Sequence, residues 1–108
     1  FIFASCLAHV LNKGIVMIRK KNKLPGKVIN LEYDLEYGKD TLEINLKLEE
    51  KKIILIDDLL ATGGTAQAAC KLIKKAGGTV SCFISLIELS FLNGRKKIDV
   101  QTETLIKY

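Results

Sequence analysis

No apolar run in this sequence approaches the ~18–20 residues that a membrane-crossing helix requires, so no transmembrane segment is expected. The apolar opening stretch, residues 1–10, lacks a basic n-region and an A-x-A-like cleavage site, which argues against a signal peptide. Cysteine is scarce: Cys6, Cys70 and Cys82 are too far apart for a metal-ligand or redox motif. Each sits among apolar neighbours, and all three are expected to be buried, reduced thiols of a cytoplasmic protein. The single histidine, His9, lies on an apolar helix and reads as structural. Neither a Gly-Lys-Ser/Thr phosphate loop nor a G-x-G-x-x-G dinucleotide fingerprint occurs. Repeats, low-complexity tracts and linkers are absent as well, leaving one domain over residues 1–108.

The charge that is present is unevenly placed. The chain of 108 residues carries a net +5, and Arg19, Lys20, Lys21, Lys23 and Lys27 crowd one short segment, followed by a run of acids from Glu32 to Glu50. A basic cluster beside a loop suits a nucleic acid or a polyphosphate. No aromatic residues interleave with it, and Asp57 and Asp58 would repel a nucleic-acid backbone, so a small phosphorylated ligand fits better.

Apolar spacing at Phe3, Leu7, Val10 and Leu11 predicts a helix over residues 1–13, and residues 15–18 read as a short buried strand. Residues 20–27, basic and containing Pro25 and Gly26, read as a loop. Alternation over residues 29–37 and again over 42–48 predicts a hairpin turning through Gly38, Lys39 and Asp40, with one polar face. The β-branched run of residues 53–56 suits a central parallel strand. Residues 65–76 then form an amphipathic helix, with Lys71, Lys74 and Lys75 on its solvated face and a stop at Gly77 and Gly78. A buried strand over 79–87, a short helical turn over 91–97 and a final strand over 104–106 complete an α/β pattern.

Residues 53–65 concentrate the chemistry. A buried strand ends in Asp57 and Asp58, and the crevice beyond the carboxyl ends of parallel strands is where ligands bind. Two acids there need a partner such as sugar hydroxyls or a hydrated magnesium ion. Thr62, Gly63, Gly64 and Thr65 then open the next helix, where converging amides and the helix dipole favour an anion. A bare Thr-Gly-Gly-Thr could equally be a turn whose glycines serve geometry alone. The apolar strand and paired acids in front favour a ribose 5-phosphate held at both ends.

This segment resembles the phosphoribosyl-pyrophosphate (PRPP) motif of the type I phosphoribosyltransferases, and the wider chain resembles their adenine-specific members. The likeness rests on Ile18-Arg19-Lys20-Lys21-Asn22-Lys23-Leu24-Pro25-Gly26, on Tyr33-Asp34-Leu35-Glu36-Tyr37-Gly38, on Leu42-Glu43-Ile44 and on Asp57 through Thr65, in the family's order. It implies the type I fold: a central, mostly parallel sheet flanked by helices, with a flexible β-hairpin. It implies that Asp57 and Asp58 hold the ribose hydroxyls, that Ala61, Thr62, Gly63, Gly64 and Thr65 cradle the 5′-phosphate, and that Arg19, Lys20 and Lys23 face pyrophosphate. Glu36 and Tyr37 would ride on the mobile loop that closes over the reacting centre, Glu36 close to the base. The implied activity is transfer of the phosphoribosyl group of PRPP to adenine, giving AMP and pyrophosphate, with magnesium bound through PRPP and not directly by the protein. A homodimer without nucleic-acid or membrane partners is the implied assembly.

Family members carry an Arg-Gly pair just before the position of Phe1, preceded by elements of the adenine pocket. The chain is therefore expected to be the C-terminal two-thirds of such a domain, with little activity in isolation. Two other readings are a non-catalytic PRPP-binding regulator of the same fold and a transferase for another purine. Retention of Glu36, Tyr37, Arg19 and Lys20 argues against the regulator.

Overall fold

The computed structural model describes residues 1–108. Helical spacing at the start gives α1, Ile2–Leu11, which stops where Asn12 turns left-handed (φ 54°), a conformation asparagine tolerates better than most residues. None of its side chains is buried. Cys6 and His9 are exposed, and Cys70 and Cys82 are half-buried. The expectation of three buried thiols thus fails, because α1 leans on one strand with a single side and leaves Cys6 facing outward.

The expected strand over 15–18 is unpaired. Pairing begins instead at β1, Arg19–Lys20, which overlaps the start of the segment read as loop. Alternating residues then build β2, Ile29–Leu35, and β3, Gly38–Ile44, and the first sheet has the antiparallel order β1-β3-β2. Leu35 pairs with Gly38, so the hairpin turns at Glu36 and Tyr37, not at residues 38–40. Gly38, at φ 148°, lets the chain re-enter the ladder where a side chain would be strained. β3 ends at Ile44, and Leu48 is buried from the loop beyond it.

The second sheet is parallel: β4, Lys52–Leu60; β5, Thr79–Glu88; and β6, Gln101–Lys107, in the order β4-β5-β6. β5 occupies its middle, with Phe83 and Ser85 fully buried, while β4 lies at an edge. Within residues 1–108 the run of residues 53–56 thus lies in an edge strand and β5 in the middle one. β4 and β6 both extend beyond their apolar cores, because backbone pairing with β5 continues past them to Leu60 and Lys107.

α2, Gly64–Lys75, crosses from β4 to β5 and lies between the two sheets. Ala68, Ala69, Leu72 and Ile73 pack against Leu42, Ile44 and Leu48, with Ile29, Leu31 and Tyr33 partly buried around them. A second cluster joins Leu60, Ala66, Phe83 and Ile98. The apolar face of the hairpin therefore covers α2. Lys71, Lys74 and Lys75 are all exposed as expected, and Lys75 also reaches across, its Nζ donating to the Asn30 carbonyl at 2.6 Å.

Candidate functional site

The site grows out of the seam between β4 and α2. β4 continues through Asp57 and Asp58, since Asp57 pairs with Ser85 and Leu60 with Glu88. Both carboxylates stand near the carboxyl end of a parallel strand, where loops gather around ligands. The Asp58 amide donates to Asp57 Oδ1 at 2.8 Å. Although Asp57 reaches the surface, partial burial pushes its carboxyl above the ordinary carboxylate range; the Asp58 amide opposes this and the neighbouring Asp58 carboxylate adds to it. The first turn of α1 approaches the same acids. Phe1, Ile2, Phe3 and Ala4 line, with Ile56, Asp57 and Asp58, an open cavity of about 240 Å³.

After Leu60 the chain turns through Ala61, Thr62 and Gly63 into α2. Gly63 adopts φ 86°, caps the helix without a side-chain bond, and accepts the Gln67 amide at 2.9 Å. The first turn carries no acid, so the leading amides of this twelve-residue helix remain donors aimed out of its N-terminus. Gly63 is buried and conformationally obligatory. Gly64 is different: a Cβ there would meet only Leu35 Cδ2, at 3.9 Å. The fold leaves room for a side chain that the sequence omits, which is what close approach of a ligand to the backbone requires. The hairpin also reaches this loop, because Tyr33 Oη lies 3.4 Å from Thr65 Oγ1.

The remaining expected residues stand apart from this segment. Lys20 forms an ion pair with Asp40 at 2.6 Å; the bond holds the lysine above and the aspartate below its ordinary pKa. Arg19 pairs with Glu43 across the first sheet, and Asn22, at φ 66°, donates its amide to Glu43 Oε1 at 2.8 Å. Lys23 is exposed, and Glu36 and Tyr37 form the tip of the hairpin, Tyr37 being 88% exposed. No hydrogen bond or ion pair joins Arg19, Lys20, Lys23, Glu36 or Tyr37 to residues 57–65. Asp57, Asp58, Ala61, Thr62, Gly63, Gly64 and Thr65 come together as one continuous strand, loop and helix start.

Sequence reasoning overlooked Glu88, Gly94 and Arg95. Arg95 binds both oxygens of Glu88, through Nη2 at 2.6 Å and Nε at 3.2 Å. Gly94 packs directly beneath the glycine loop. The Asn93-Gly94 pair marks a turn, but no local signal reveals that the turn meets residues 61–63.

A parallel sheet with paired acids at its rim thus leads into an uncapped glycine loop that opens the next helix. The family described as the phosphoribosyl transferase domain matches residues 1–104, and the chain belongs to that family. Among curated relatives, an adenine phosphoribosyltransferase of Prochlorococcus marinus (strain NATL1A) is 58% identical over 112 residues, covering 100% of this chain and 65% of the relative. The crystal structure of adenine phosphoribosyltransferase from Thermoanaerobacter pseudethanolicus superposes with a TM-score of 0.93 at 46% identity, covering 100% of this chain and 64% of that one. The Saccharomyces cerevisiae enzyme, complexed with an imino-altritol bisphosphate and adenine, gives 0.89 at 37% identity over 97% of this chain and 61% of that one. This chain therefore spans about 65% of the length of the relative it matches at that identity. No helix is long and apolar enough to cross a membrane.

Proposed function

We propose that this chain is the donor-binding part of an adenine phosphoribosyltransferase, which transfers the 5-phosphoribosyl group of PRPP to adenine. The observation that carries the reading is Gly64. It is a glycine at an uncapped helix start, free of steric need, and it follows paired carboxylates at the end of a parallel strand. The adenine complex of the yeast relative supports the choice of base.

In this reading Asp57 and Asp58 hold the ribose hydroxyls, and Ala61, Thr62, Gly63, Gly64 and Thr65 hold the 5′-phosphate. Fixing both ends of the sugar orients its anomeric carbon. Adenine N9 bonds to that carbon as its bond to pyrophosphate breaks; the leaving oxygen takes the electron pair and N9 gives up its proton. Arg19, Lys20 and Lys23 bear on the departing pyrophosphate, which requires Lys20 to exchange Asp40 for the ligand. Carboxylates near the sugar favour the oxocarbenium-like transition state. Glu36 and Tyr37 close over the centre, exclude water and bring Glu36 toward the base. Magnesium, when bound with PRPP, would neutralise charge on the leaving group. Asp57 and Asp58 offer oxygen donors that suit its water shell. Residues 1–108 act as one domain of a homodimer in the cytoplasm, where free thiols such as Cys70 persist.

The test is AMP formation by the full-length protein from adenine, PRPP and magnesium, with guanine, hypoxanthine and xanthine as competitors. None of these three bases is expected to compete with adenine. Tight PRPP binding with no AMP formed would point instead to a regulator, and turnover of hypoxanthine in place of adenine would reassign the base.

A further inference from the structure

The turn Gly94–Lys97 follows Asn93, which is left-handed at φ 55°, and it runs back beneath the loop that joins β4 to α2. Gly94 is buried there. A Cβ on Gly94 would collide with the Ala61 carbonyl oxygen and stand 2.9 Å from both Gly63 N and Thr62 C. Reciprocally, a Cβ on Gly63 would strike the Gly94 carbonyl oxygen and stand 3.0 Å from Gly94 Cα. Two stretches of backbone thus lie against one another with no side chain between them.

The neighbours of Gly94 hold it in that place. The Arg95 guanidinium grips both oxygens of buried Glu88 and donates from Nη1 to the Thr102 carbonyl at 2.6 Å. Thr104 Oγ1 adds a bond to Glu88 Oε1 at 3.1 Å. Glu88 ends β5 in register with Leu60, the residue just before the loop, and the Leu89 amide donates to the Leu60 carbonyl at 2.9 Å. The strand that feeds the loop and the turn beneath it are therefore tied to one carboxylate. Planar, two-pronged pairing of this kind fixes orientation as well as distance.

We propose that Gly94, held by the Arg95–Glu88 pair, is a positioning residue for the 5′-phosphate of the phosphoribosyl donor. It sets the backbone of Ala61, Thr62 and Gly63 so that the loop and helix amides converge on one anion. The inference rests on the transferase reading above. Gly94 itself touches no substrate. Its effect is selective, because the loop holds the non-reacting end of the donor while adenine enters elsewhere.

The experiment compares full-length wild type with Gly94→Ala and with Gly14→Ala, whose Cβ would enter open space. Binding of ribose 5-phosphate is measured by calorimetry, and PRPP and adenine are varied separately in steady-state assays. Gly94→Ala should weaken ribose 5-phosphate binding and raise the KM for PRPP by about tenfold or more, since small displacements of positioning groups are costly. The KM for adenine should stay within about twofold, because only donor contacts are lost, and Gly14→Ala should match wild type. Arg95→Lys keeps the charge and loses the fork; it should raise the PRPP KM severalfold with the same selectivity, and it decides the matter if Gly94→Ala does not fold. Unchanged ribose 5-phosphate binding in Gly94→Ala, an unchanged PRPP KM in Arg95→Lys, or equal rises in both KM values would overturn the positioning role. A wild-type protein that binds no ribose 5-phosphate would overturn the transferase reading, and this inference with it.

Discussion

Gly63 and Gly64 are adjacent and identical in sequence, yet they carry different constraints. Alanine at Gly63 would have to adopt φ 86° and push against Gly94, at a cost of at least ~1–3 kcal/mol. Alanine at Gly64 enters a helix with ordinary contacts, and should be neutral or stabilising by about 0.5–1 kcal/mol. Urea titrations of the two variants, paired with ribose 5-phosphate binding, should separate stability from function: Gly64→Ala keeps the fold and loses affinity. Wild-type affinity in Gly64→Ala would mean that the missing side chain serves no ligand. Asp57 makes a related case. Its carboxyl titrates above the ordinary range because burial disfavours the charge. A raised folded-state pKa contributes stability below the unfolded value, and that contribution is lost as pH rises through the folded value. Asp57→Asn should therefore melt higher than wild type at pH 7, with the advantage vanishing below the ordinary carboxylate pKa of about 3.9. Thermal melts across that window check the sign, and phosphoribosyl-donor binding should weaken at the same time.

At the scale of elements, α2 is the wall shared by both sheets, and Leu72 on it is 0% exposed. Leu72→Ala should cost about 2–5 kcal/mol in denaturant unfolding, since neither sheet can collapse into the gap without leaving the other. β5 ends in a different kind of support. Arg95 beside it holds the Glu88 carboxyl below its usual range, so its contribution is present above the ordinary glutamate pKa and is lost as pH falls through the lowered one. Wild type should accordingly lose more stability between pH 5 and pH 3, the span around the ordinary glutamate pKa of about 4.3, than Glu88→Gln does. Equal losses in parallel melts would show that the pair adds nothing specific. The hairpin turn shows where periodicity misleads. Gly38, Lys39 and Asp40 look like the turn, but the two-residue loop is Glu36 and Tyr37, and Gly38 is the first residue of β3. Which residue faces which is set by the ladder with β2, and alternation alone leaves that register open.

For the molecule as a whole, the legible parts are those written in contiguous residues. The β4–loop–α2 unit could be read because strand, acids, glycines and helix follow one another, and the α/β order follows from the alternation of apolar runs with one amphipathic helix. The seat of Gly94 under Gly63, and the grip of Arg95 on Glu88, join residues brought together only by folding. The separation of the basic segment from the acids was hidden for the same reason. Lys20 is engaged by Asp40 on β3, a partner no spacing rule points to. The buried base of the hairpin has a mechanical consequence. Ile29, Leu31, Tyr33, Leu42 and Ile44 are anchored in the core around α2, and Tyr33 stands opposite Asp40. Any closing motion must therefore pivot near that pair, and beyond it the arm extends by only about 10 Å, at roughly 3.3 Å per residue. In the proposed transferase, so short a lever would sweep Glu36 and Tyr37 through an arc without disturbing the core, with the Lys20–Asp40 ion pair at its fulcrum.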